Sequence, residues 1–169
     1  MIKKITFALV VLLVAIQFVP MEKNDSGTND FDITTNYQVP EHVATLMQGA
    51  CNDCHTNTTK YPWYSNVQPV GFWLNHHTNE GKEHLNFSEF TSLPLRVQNH
   101  KFEEIVEMVE SKEMPLPSYT YMGLHPEANL SDLDRKVLIE WAKEQMAMLA
   151  ATHPADSLKM KPRPAASEE

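Results

Sequence analysis

Five residues constrain this chain more than any other stretch: Cys51-Asn52-Asp53-Cys54-His55. Two cysteines separated by two residues and followed at once by a histidine form the attachment signature of a c-type haem. The chemistry needs that order. Each thiol adds across one vinyl group of the porphyrin, and the adjacent imidazole is delivered to one axial face of the iron. Covalent links let a small domain keep the group. Two other readings stand beside this one. A redox disulfide normally follows a strand in a βαβ pattern, and no such pattern is visible. A zinc site completed by His55 and another histidine would bring a second Cys-x-x-Cys or a His-x-His pair, and these two cysteines are the only ones in the chain.

A chain of 169 residues has room for one domain with modest extensions. Its net charge of -8 argues against nucleic acid as a partner and suits transient docking on a basic patch of another protein. Lys3 and Lys4 precede a run from Ile5 to Val19 that is apolar except for Thr6 and Gln17, the layout of a charged n-region and an h-region. As a helix the run covers roughly 22 Å against about 30 Å for a bilayer core, so spanning requires flanking residues. No Ala-x-Ala-like site precedes Pro20. Residues 1–21 are therefore expected to be a hydrophobic helix acting as an uncleaved anchor, with the lysines inside and the domain on the periplasmic side of the inner membrane. Cleavage as a signal peptide is the alternative. Residues 22–37, polar and turn-forming, read as a flexible linker.

The domain proper is expected over 38–150. Pro40 and Glu41 open a helix whose apolar face is Val43, Leu46, Met47 and Ala50, and which runs directly into Cys51. Gly49 marks a place where another backbone could approach. Thr56 to Asn66 is a loop containing Tyr61, Trp63 and Tyr64. Tyr61 and Trp63, with Trp73 further on, are candidate haem-pocket residues, since a ring can pack on porphyrin while its polar tip meets a propionate. Capping a small core is the competing role. Pro69 starts a second helix that Gly81 plausibly ends, with Val70, Trp73, Leu74 and His77 on one face and His76 turned away. His77 is thus a possible axial ligand, although such a residue is more often a core histidine. Leu85, Phe87 and Phe90 pin the loop that follows.

The longest helical pattern runs from Pro94 to Glu113, with Leu95, Phe102, Ile105, Val106 and Val109 on one stripe and its glutamates exposed. It stops at Met114-Pro115-Leu116-Pro117. Met114, locked before a Pro-x-Pro at a helix end, is the candidate sixth ligand; a thioether opposite the histidine raises the potential of the iron. Tyr119, Tyr121 and His125 follow in a loop that could line the same face. Ser131 and Asp134 form a relative of the capping box, opening an amphipathic helix marked by Leu133, Val137, Leu138, Trp141, Gln145 and Met148. Residues 151–169 read as a disordered tail.

Taken together, the CxxCH after one helix, the Met-Pro loop and the C-terminal helix with Trp141 resemble class I c-type cytochromes. More closely, CNDCHTNTTKYPWYSNVQPVGFWLNHHTNEGKEHLNFSEF, MPLPSY and HPEANLSDLDRKVLIEWA resemble the haem-binding domain family of small bacterial monohaem proteins, over roughly residues 38 to 148. The resemblance implies an all-α, cytochrome c-like fold of about four helices around one covalently attached haem c. It also implies Cys51 and Cys54 as thioether links, His55 as proximal iron ligand and Met114 as distal ligand. Where the family loop reads Met-Pro-Pro, this chain has Leu116 in the third place.

The function expected from these features is single-electron transfer, without catalysis of its own, between redox partner proteins of the respiratory chain. A haem sensor with an open or weakly held sixth position is the alternative, in which Met114 is packing and His77, His100 or His125 acts as switch ligand. A module with zinc or a disulfide and no haem is a third reading. No nucleophile–base pair or phosphate loop is identifiable.

Overall fold

The computed structural model describes residues 1–160. Among these residues the chain is helical and has no strand, only an isolated bridge between Asp25 and Thr58. Its α-helices are α1 (Ile2–Ile16), α2 (Glu41–Ala50), α3 (Asn52–His55), α4 (Val70–His84), α5 (Leu95–Glu110), α6 (Pro117–Thr120), α7 (Asp132–Thr152) and α8 (Ala155–Leu158). After α1, the long members α2, α4, α5 and α7 fall where the sequence places helices. The chain groups into two compact units where a single domain over 38–150 was expected. The first comprises Met1–Asp30 and Asn52–Ser88; the second comprises Phe31–Cys51 and the described residues from Glu89 on. The division falls inside the CxxCH motif.

The second unit has an apolar core. α5 and α7 pack along each other, α2 meets α7, and α8 lies on α5. Phe90 and Phe102 are fully buried, and Tyr37 and Trp141 close around them. Tyr37 and Phe102 meet edge to face with centroids 5.0 Å apart, and Phe102 meets Trp141 the same way at 5.7 Å. The Trp141 Nε1–H donates to the Gln38 carbonyl at 3.0 Å, so the indole is buried without a lost hydrogen bond. The buried stripe of α7 is Leu138, Trp141, Ala142, Gln145 and Leu149, at spacings of three and four. Leu133 and Met148, expected on this stripe, are exposed. The Ser131–Asp134 capping box forms with both reciprocal bonds. Gly49 admits the Glu127 carbonyl, which would lie 2.9 Å from an added Cβ. Helix continues past residue 150, where the sequence suggested a tail, through the end of α7 and into α8; the rest of that segment, 161–169, lies outside the described residues.

The first unit is built differently. α3 and the 3-10 turn Trp63–Asn66 both pack on α4, and Leu74 and Phe87 are its buried apolar side chains among the described residues. Around them hydrogen bonds do most of the joining. Asn24 is buried: its Nδ2 donates to Thr56 O and Thr59 Oγ1, each at 2.8 Å, and its Oδ1 accepts from Lys82 Nζ at 2.6 Å. Residues 22–37, read as a linker, place buried side chains in both units. Asn24 docks in the first unit, while Ile33 and Tyr37 are buried in the second. Amide side chains that look solvated in sequence become buried once they find backbone partners.

α1 is apolar and exposed along its length. Its end is held by Gln17, whose Nε2 donates to Gln68 O at 3.0 Å and whose Oε1 accepts from Gln68 N at 2.9 Å. Fifteen residues of helix rise about 22 Å. Among the described residues no helix is long and apolar enough to cross a membrane.

Candidate functional site

α2 delivers the motif. It ends at Ala50, Cys51 is its C-cap with N–H donating to Met47 O at 2.8 Å, and α3 carries Cys54 and His55 one turn on. The decisive neighbour of α3 is the C-terminal end of α4. His55 Nδ1 lies 2.9 Å from the Gly81 carbonyl and 2.9 Å from the Leu85 carbonyl. Both neighbours are acceptors only, so Nδ1 must carry the proton, and the neutral imidazole holds its lone pair on Nε2. A ring with Nδ1–H on backbone carbonyls is the arrangement that orients a metal-ligating histidine and raises its basicity. The terminal carbonyls of a helix are well suited to this, because they carry the negative end of its dipole.

Gly81 makes the approach possible. A Cβ there would stand 2.6 Å from Cys54 O and 3.1 Å from Cys54 Cβ. Read as the stop of its helix, Gly81 instead lies inside α4, which continues to His84. Its missing side chain serves packing, not a turn.

The Cys54 thiol is pushed up to about 11, first by burial and then by the neighbouring Asp53 carboxylate. The fully buried Thr78 hydroxyl, which has no ordinary hydrogen-bond partner in the structure, lies close enough to oppose part of that rise. A raised value gives Cys54 none of the thiolate character of an attacking redox cysteine. Nor, among the described residues, do three or more His, Cys, Asp or Glu side chains gather to hold a metal ion, which leaves the zinc reading without a ligand set.

A family model for a haem-binding domain matches residues 11–144. The chain belongs to the haem-binding domain family. Membership gives the chain haem as its cofactor. No curated protein and no solved structure matches it. The residues present fit the group: two thiols and an imidazole oriented through Nδ1–H stand in five consecutive positions of this haem-binding domain.

Met114 belongs to the second unit and is half-buried between α5 and α6. Its N–H donates to Met108 O at 3.1 Å, and its carbonyl accepts from Arg135 Nη1 at 2.7 Å, the same nitrogen that reaches Val109 O at 3.1 Å. Lys112, with φ of 63°, turns the chain out of α5 just before it, and Pro115 is buried just after. The Met114 backbone is thus fixed on both sides. Arg135 gave no sign in the sequence, where it reads as one exposed charge among several on α7.

The remaining candidates divide. The Tyr61 hydroxyl accepts from the Asn24 N–H at 2.8 Å, so its polar tip is committed within the first unit. Trp63 is 79% exposed and Trp73 is 46% exposed. Trp73 meets His77 edge to face at 4.5 Å, and His77 Nδ1 lies 3.3 Å from Glu80 Oε2 on the same helix. His100 sits with Glu103 and Glu104 on the partly exposed side of α5. His125 is buried, stacked on Tyr119 with centroids 3.9 Å apart and its Nδ1 3.3 Å from Glu127 Oε1.

Proposed function

We propose that this haem-binding domain is a monohaem c-type cytochrome of cytochrome c-like fold that carries single electrons between partner proteins. The observation that supports it best is the double carbonyl contact to His55 Nδ1. In this reading the Cys51 and Cys54 thiols would hold the haem through thioether links. His55 would ligate the iron through Nε2, its ring oriented by the Gly81 and Leu85 carbonyls. Met114 would be the other protein ligand of the iron; Met108 and Arg135 hold its backbone from two sides. When bound, the haem iron supplies one-electron exchange. The chain's own contribution is to keep both ligands in place through the change of charge, so that little rearrangement accompanies each transfer.

The acidic surface suits brief docking with basic faces of respiratory partner proteins. The basic start and apolar run of residues 1–21 would send the domain across the inner membrane, to its periplasmic side, where c-type haem is attached. No catalytic step belongs to this reading.

Met114→Ala tests the ligand assignment. The matured ferric wild type should show the weak far-red sulfur-to-iron charge-transfer band, and the variant should keep its covalent pigment but lose the band and its low-spin spectrum. A band that survives in the variant removes Met114 from the site. A wild type with haem and no such band moves the sensor reading ahead, with His77, His100 and His125 as the next substitutions.

A further inference from the structure

We infer that the first unit has a lipid-facing edge, formed by the 3-10 turn Trp63–Asn66 and the start of α4, which seats on the membrane surface beside α1. The inference rests on the reading of α1 as a retained, membrane-inserted segment. In a chain with 22 Asp and Glu residues, positions 61–79 contain none, and no Lys or Arg either. Such a face carries no carboxylate for an anionic lipid surface to repel. Four of its apolar side chains face outward: Trp63 is 79% exposed, Val67 46%, Val70 39% and Trp73 46%.

The edge is joined to α1 by bonds, not only by sequence. Gln17, the residue that ends α1, makes two hydrogen bonds to the backbone of Gln68, between Val67 and the start of α4. Gly71 lets the 3-10 turn lie directly on α4, since a Cβ there would fall on the Ser65 carbonyl. Phe18 and Val19, both exposed, follow at the same end of α1. α1 has Lys3 and Lys4 at its far end and is about 8 Å shorter than a bilayer core. A short apolar helix draws its flanking residues down into the interface. Tryptophan is the side chain that favours that layer. Trp63 and Trp73 are placed to occupy it.

The chain has three tryptophans, and the third, Trp141, is buried in the other unit and serves as internal control. The full-length holoprotein, labelled with 5-fluorotryptophan and reduced, is examined by fluorine NMR in phosphatidylcholine/phosphatidylglycerol bicelles, with and without a lipid spin-labelled near the headgroup. The Trp63 and Trp73 resonances, assigned by Trp→Phe variants, should broaden, and that of Trp141 should not. Flotation with vesicles of the same lipids reads α1 separately. If the protein floats but Trp63 and Trp73 stay sharp, the edge is not at the lipid and the inference fails while α1 remains inserted. If the protein does not float, the membrane reading falls and the inference with it. If Trp63→Ser/Trp73→Ser alters the haem absorption bands, the pair covers haem instead of lipid.

Discussion

The two units hold themselves together by different means. In the second, Tyr37, Phe90, Phe102 and Trp141 form one contiguous apolar cluster between long helices. In the first, the buried side chains are mostly Asn24, Asn57, Thr59, Ser65, Gln68, Thr78 and Ser88. The contrast follows from what each must do. An apolar core tolerates small shifts, because its attraction is nondirectional. A hydrogen-bonded frame does not, and it is the frame that aims the Gly81 and Leu85 carbonyls at His55. The unit with the weaker core carries the stricter geometry.

The largest effect should come from the apolar side. Phe102→Ala removes a fully buried ring that touches Tyr37, Phe90 and Trp141, and should cost about 3–5 kcal/mol in denaturant unfolding. A loss near 1 kcal/mol would mean the cluster does not act as one core.

Tyr37 sharpens the same point through pH. Burial pushes its hydroxyl up to about 12, from 10.0. Below pH 10 the contribution is constant. Above it the unfolded chain loses the proton while the folded chain keeps it, so stability falls by roughly 1.4 kcal/mol per pH unit until about pH 12. Tyr37→Phe should flatten that slope, as stability curves at pH 9 to 12 would show.

On the polar side, Asn24→Ala strips bonds from Thr56, Thr59 and Lys82 at once. It should cost about 1–3 kcal/mol by the same assay, less than the ring. Amide hydrogen exchange should accelerate in residues 52–88 and hardly change in α5 and α7. Uniform acceleration would abolish the distinction between the units.

Legibility in the sequence follows the same division. Helical periodicity located α2, α5 and α7, and the Ser131–Asp134 cap gave the start of α7 to the residue. Where apolar spacing was ambiguous the stripe slipped, so Leu149 is buried where Met148 was expected. Gly49 was legible as a close approach, but Gly81 was not, because a glycine that ends a helix and one that admits a neighbour look alike until the neighbour is known. Asn24 and Gln17 carry no periodic signal at all; their roles come from backbone groups more than thirty positions away. Cys51, Cys54 and His55 stand out by motif, whereas the carbonyls that orient His55 have no residue type to announce them.

The proposed cytochrome requires that Cys51 and Cys54 hold haem covalently. The most direct test is acid–acetone extraction of the protein produced with a cytochrome maturation system, followed by mass measurement of the intact chain. The pigment should stay with the polypeptide, as one haem per chain, and become extractable in Cys51→Ala/Cys54→Ala. Pigment that leaves the wild-type chain on extraction would contradict covalent attachment and reduce the motif to a binding site for haem without thioether links.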